Sequence, residues 1–86
     1  MDLEKLINKS DLHREIISFF NENPSSIDTP RGISTWVRGD YLKVKDILNE
    51  LADAGILIAH KASSTTGYSY TIDPKVIAKI KKVLGA

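Results

Sequence analysis

The apolar residues of this chain recur at helical spacing as far as Gly55. They alternate with a period of two from Ile56 to Ile72 and then return to helical spacing. One switch of this kind restricts the fold to helices packed on a small antiparallel sheet, an α+β arrangement. Before the switch, Leu3, Leu6 and Ile7 share one helical face, and Leu12, Ile16, Ile17 and Phe20 share another. The two stripes are out of phase, with Ser10 or Asp11 as a cap at the break. The reading is a helix over 2–9 and a helix over 11–22, continuous through a kink or separate.

Asn23-Pro24 ends the second of these, because the residue before proline avoids the α region. Ile27-Asp28 reads as a very short strand. Thr29-Pro30 is a cap followed by proline at the first helical position. Ile33, Trp36 and Val37 then recur at helical spacing, which predicts a helix over 30–38 with Trp36 in the core. Gly39 is expected to stop it in the left-handed conformation, and Asp40 to cap a helix with the stripe Val44, Ile47, Leu48 and Leu51. Two helices joined across Gly39-Asp40 make a tight helix-turn-helix. Gly55 is expected to hold a positive φ. Ile56 to Ala62 and Tyr68 to Ile72 read as a hairpin around 63–67, with Tyr68, Tyr70 and Ile72 on one face covering the core. Asp73-Pro74 starts a last helix carrying Val76, Ile77, Ile80, Val83 and Leu84, ending at Gly85.

With 86 residues, the expected organisation is one domain over 1–86 with a core over 11–72 and flanking helices at 2–9 and 74–84. The longest apolar run is the four residues Ile56 to Ala59, against about 20 for a membrane span, so no membrane partner is expected. No secretory leader is legible and there is no cysteine, so a cytoplasmic location is the expectation.

Catalysis has little to stand on. His13 and His60 lack partners at metal-ligand spacing, and both read as surface or boundary residues, so no metal site is expected. Asp11 with Glu15, and Glu50 with Asp53, share helix faces but read as solvated pairs. No glycine-rich phosphate loop is present. The expectation is no enzyme and no cofactor.

The charge is nearly balanced, 12 basic residues against 11 acidic, but unevenly spread. Residues 1–22 carry three bases and five acids, and residues 73–86 carry four lysines and one acid. The terminal helices therefore either pack together over the first core helix or build a symmetric homodimer. The dimer is the expectation, with complementary charge across it.

The order helix, short strand, helix, tight turn, helix, hairpin, helix resembles the winged-helix superfamily of helix-turn-helix domains. The resemblance rests on Leu48 and Leu51 ahead of Gly55-Ile56-Leu57, and on the hairpin through Gly67-Tyr68-Ser69-Tyr70, and it covers residues 11–72. It implies a three-helix core with a β-hairpin wing, here with extra N-terminal and C-terminal helices. It also implies duplex-DNA binding by a transcriptional regulator, with the third helix (40–54) in the major groove and the wing (56–72) on phosphates or the minor groove.

Carried onto this chain, the exposed positions of the third helix are Tyr41, Lys43, Lys45, Asp46 and Asn49. Lys43 and Lys45 suit phosphates, and Asn49 suits an adenine edge. Arg31, Ser34, Thr35 and Arg38 lie on or before the second helix, and Lys61, Ser63, Ser64, Thr65 and Thr66 form the wing. Against DNA stand Asp40, Asp46, Glu50 and Asp53, which outnumber Lys43 and Lys45 on the third helix, Asp46 most awkwardly. The alternative is a winged-helix protein–protein interaction module that presents this near-neutral surface to a protein partner.

Overall fold

A computed structural model of the chain describes residues 2–85. The elements are α1 (Leu3–Ile7), α2 (Asp11–Glu22), β1 (Ile27–Asp28), α3 (Pro30–Val37), α4 (Tyr41–Asp53), β2 (Leu57–Lys61), β3 (Thr66–Tyr70) and α5 (Pro74–Gly85). Each helix starts where a short polar side chain can take up an orphan backbone N–H. Asp2, Ser10, Thr29 and Asp40 accept from Lys5, His13, Gly32 and Lys43. Asp73 accepts from the backbone of Lys75. Ser10 is extended, with φ −156° and ψ 164°, so α1 and α2 are two helices and not one kinked helix.

Helices α2, α3 and α4 surround a core that includes Ile16, Ile17, Phe20, Ile33, Val44, Leu48 and Leu51, all at 0% exposure. Gly55, with φ +81°, turns the chain out of α4 and returns Ile56 and Leu57 to that core. The sheet has the antiparallel order β1-β3-β2. Leu57 pairs with Tyr70 and Ala59 with Tyr68, and on the other side Ile27 pairs with Ser69. The inward side chains of β3 are Tyr68 and Tyr70, both buried.

The end of α3 differs from the expectation. Arg38, not Gly39, takes the left-handed conformation, with φ 56° and ψ 41°. Gly39 is required for space. A Cβ there would lie 2.9 Å from Leu12 Cδ1 and 3.0 Å from Val44 Cγ2, closer than packed carbons allow.

Two predicted core residues are also outside. Trp36 is 69% exposed because Pro30 and Ile33 define the buried side of α3, leaving Trp36 on its flank with its ring 5.7 Å from that of Phe19. Ile72 is 86% exposed. Pairing in β3 stops at Tyr70, and the Thr71 N–H then bonds to the Ile56 carbonyl, so the alternation ends before Ile72. The hairpin loop is also shorter than read, residues 62–65, closed by the Ala62 N–H on the Thr65 carbonyl.

The terminal helices pack within one chain. Helix α5 lies against both α1 and α2, which buries Leu6, Ile7 and Ile80. Full burial of a side chain such as Ile80 stabilises by about 1.5–3 kcal/mol. The apolar stripes expected to build a dimer are thus largely used internally. No helix among the described residues is long and apolar enough to cross a membrane.

Candidate nucleic-acid interface

Helix α4 buries Val44, Ile47, Leu48 and Leu51, which leaves two flanks and an outer ridge in reach of other molecules. At about 100° per residue, Tyr41, Lys45 and Asn49 fall on the flank toward the hairpin. There they line a concavity of about 480 Å3 with Lys61, Ala62, Ser64, Thr65, Thr66 and Tyr68 of the hairpin and Pro30 of α3. Two lysines, three hydroxyl side chains, an amide and two phenols border this space, and no carboxylate does. The Arg31 guanidinium extends it, with Cζ 5.0 Å from the centre of the Tyr41 ring in a cation–π contact.

The opposite flank has the opposite character. Asp11, Asp46, Glu50 and Asp53 line it with Lys9, Lys43 and His13, and Asn49, next to Asp46 on the outer ridge, borders both flanks. Glu50 is bound there, its Oε2 2.7 Å from Lys9 Nζ and its Oε1 2.7 Å from His13 Nε2. These hydrogen bonds, first that of Lys9 and then that of His13, hold the Glu50 carboxyl below its ordinary pKa. His13 is 5% exposed, not a surface or boundary residue. Its Nδ1 lies 2.7 Å from Ser10 Oγ, so both ring nitrogens are engaged. Two of the carboxylates that make α4 net acidic are therefore occupied: Asp40 caps the helix, and Glu50 is tied to Lys9 and His13, whereas Asp46 stays exposed on the outer ridge.

Of the residues singled out from the sequence, the structure gathers Tyr41, Lys45, Asn49, Lys61, Ser64 and Thr65 in one concavity, with Arg31 against Tyr41. Lys43 lies on the acidic flank. Arg38 lies apart, in a depression with Glu15, Glu22 and Trp36. The Ser34 and Thr35 hydroxyls both bond back to the Arg31 carbonyl, at 2.8 and 3.1 Å.

Tyr68 is the residue that sequence reasoning missed at this site. It covers the core as its alternation predicts, at 2% exposure, and its hydroxyl also donates to Asn49 Oδ1. Burial, and then the charge of Asp53, push its phenol pKa up and keep that proton in place. No local pattern marks the pair, because the two residues are 19 apart and meet only when the hairpin folds onto α4.

No family model and no curated protein sequence matches the chain. Solved structures do resemble it. The antimony-specific transcriptional repressor AntR superposes with a TM-score of 0.75 at 20% identity, covering 94% of this chain and 69% of AntR. Reduced HlyU from Vibrio cholerae N16961 gives 0.72 at 16% identity, covering 94% of this chain and 80% of HlyU. NadR in complex with 4-hydroxyphenylacetate gives 0.67 at 19% identity, covering 92% of this chain and 60% of NadR.

Proposed function

The chain has a winged helix-turn-helix fold, and we propose that it is a transcriptional regulator that binds duplex DNA through α4 and the β2–β3 wing. One observation carries this reading: Lys45 and Lys61 come from different elements yet border the same carboxylate-free concavity. DNA affinity comes largely from cations that displace counterions from phosphates. A helix whose basic flank borders a space free of carboxylates meets that need despite its net charge. Ser64 and Thr65 add hydroxyl donors for phosphate oxygens, and Asn49 adds an amide at base height on the helix. That one of the resembling structures is a transcriptional repressor agrees with this assignment.

The exposed apolar side chains of Trp36 and Leu42, at 69% and 66%, favour a second reading, a module that docks a protein partner. The DNA reading fits a cytoplasmic location, and neither reading needs catalysis or a cofactor. Titrating a labelled duplex of random sequence at low salt separates them. The DNA reading expects binding that weakens steeply as salt rises, and the docking module expects none.

A further inference from the structure

This inference rests on the DNA-binding reading and gives it a base preference. We propose that Asp46 and Asn49, with the Asn49 amide oriented by Tyr68, read a guanine–cytosine base pair in the major groove. The two side chains stand one helical turn apart on the outer ridge of α4, opposite its buried stripe, and both are exposed.

An asparagine free to use both ends of its amide matches adenine, which presents an acceptor at N7 and a donor at N6. Asn49 is not free in this way. Tyr68 is 2% exposed and its hydroxyl donates to Asn49 Oδ1. Turning the amide over would let its NH2 group donate to the phenol oxygen, but the phenol proton, on a side chain with no other hydrogen-bond partner among the described residues, would lose its acceptor. The carbonyl therefore stays with the wing, and the NH2 group is the end available to a base. A donor alone suits guanine, whose O6 and N7 are both acceptors.

Asp46 completes the pair. The other acids toward the start and middle of α4 are occupied: Asp40 caps the helix and Glu50 binds Lys9 and His13. Asp46 makes no salt bridge among the described residues. A carboxylate is an acceptor, and in the major groove cytosine N4 is a donor that suits it. The residue that opposes phosphate binding thus supplies sequence preference, and Tyr68 is a positioning residue for that preference.

The test is selection of binding sites from a randomised duplex pool, followed by affinities for the selected duplex and its single-pair variants. Wild type is expected to select guanine–cytosine at one position, where a switch to adenine–thymine weakens binding on the order of tenfold. Tyr68→Phe is expected to move the preference at that position toward adenine, an effect that mere loss of stability does not produce. Asn49→Ala, at an exposed position, is expected to erase it. Asp46→Asn is expected to tighten binding to the unselected pool while lowering discrimination at the same pair. Selection of adenine–thymine by wild type at the Asn49-dependent position overturns the proposal. So does an Asn49→Ala protein that keeps the guanine–cytosine preference, or a folded Tyr68→Phe protein whose preference is unmoved. Failure of DNA binding itself appears earlier and separately, as no salt-dependent affinity for the unselected pool.

Discussion

His13 Nε2 and Glu50 Oε1, 37 residues apart in sequence, meet at 2.7 Å and join the start of α2 to the third turn of α4. Lys9 reaches the second oxygen of the same carboxylate, so the link also fastens the end of α1. Removing the carboxylate leaves a buried histidine nitrogen without its partner. Glu50→Ala is expected to cost about 1–2 kcal/mol at neutral pH, discounted because Glu50 is partly exposed. Urea denaturation measures it.

The same link gives a pH dependence of known sign. The folded Glu50 carboxyl titrates below its ordinary value of 4.5, so its contribution is fully present above that value. It fades as pH falls through the lower, folded value. The stability gap between wild type and Glu50→Gln should therefore narrow on acidification below 4.5. Paired denaturation curves across the acid range test this, and a gap that widened would have the wrong sign.

Gly55 and Gly39 are needed for different reasons, and their variants should show it. A Cβ on Gly55 would meet nothing within 4 Å, so Gly55→Val is strained only through its positive φ, at about 1–3 kcal/mol. Gly39→Ala meets Leu12 and Val44 and is expected to cost about 1–3 kcal/mol by overpacking. Leu12→Ala makes room, so the double variant with Gly39→Ala should lose less than the two single losses added. Leu51→Ala should cost about 2–5 kcal/mol as a core cavity.

Ile80 is at 0% exposure against α1 and α2. Ile80→Asp is expected to unfold the chain, since a lone buried carboxylate has no partner there. Circular dichroism should show loss of helix. A folded Ile80→Asp protein would contradict the packing of α5 described above.

The local grammar of this fold was open to reading. Thr29-Pro30, Asp40 and Gly55 act within one turn of themselves, and each performs the role its chemistry suggests. What escaped depends on partners far along the chain. Trp36 falls at helical spacing from Ile33, yet only the placement of α2 and α4 decides which side of α3 is covered. His13 reads as a surface or boundary residue until Glu50 arrives from α4, and Gly39 reads as a left-handed helix stop until Leu12 packs over it. For the site, Arg31, Lys45, Asn49 and Lys61 were legible as polar groups on a resembling fold. Their segregation from Glu50 was not, because counting charges along α4 averages over faces that the packing separates.

Basic residues inside and outside the concavity should behave differently on DNA. Lys45→Ala and Lys61→Ala are expected to weaken all duplexes about equally, since phosphate contacts carry little sequence information. Lys43→Ala and Arg38→Ala, on other faces, are expected to have smaller effects. Fluorescence anisotropy on two unrelated duplexes makes the comparison.

The most direct test of the account is the slope of duplex affinity against salt for wild type and for the double variant Lys45→Ala with Lys61→Ala. The account predicts a steep fall for wild type and a slope shallower by about two for the variant, one for each lost phosphate contact. An unchanged slope, or wild-type binding weaker than about 10⁻⁴ M at about 50 mM salt, would contradict it.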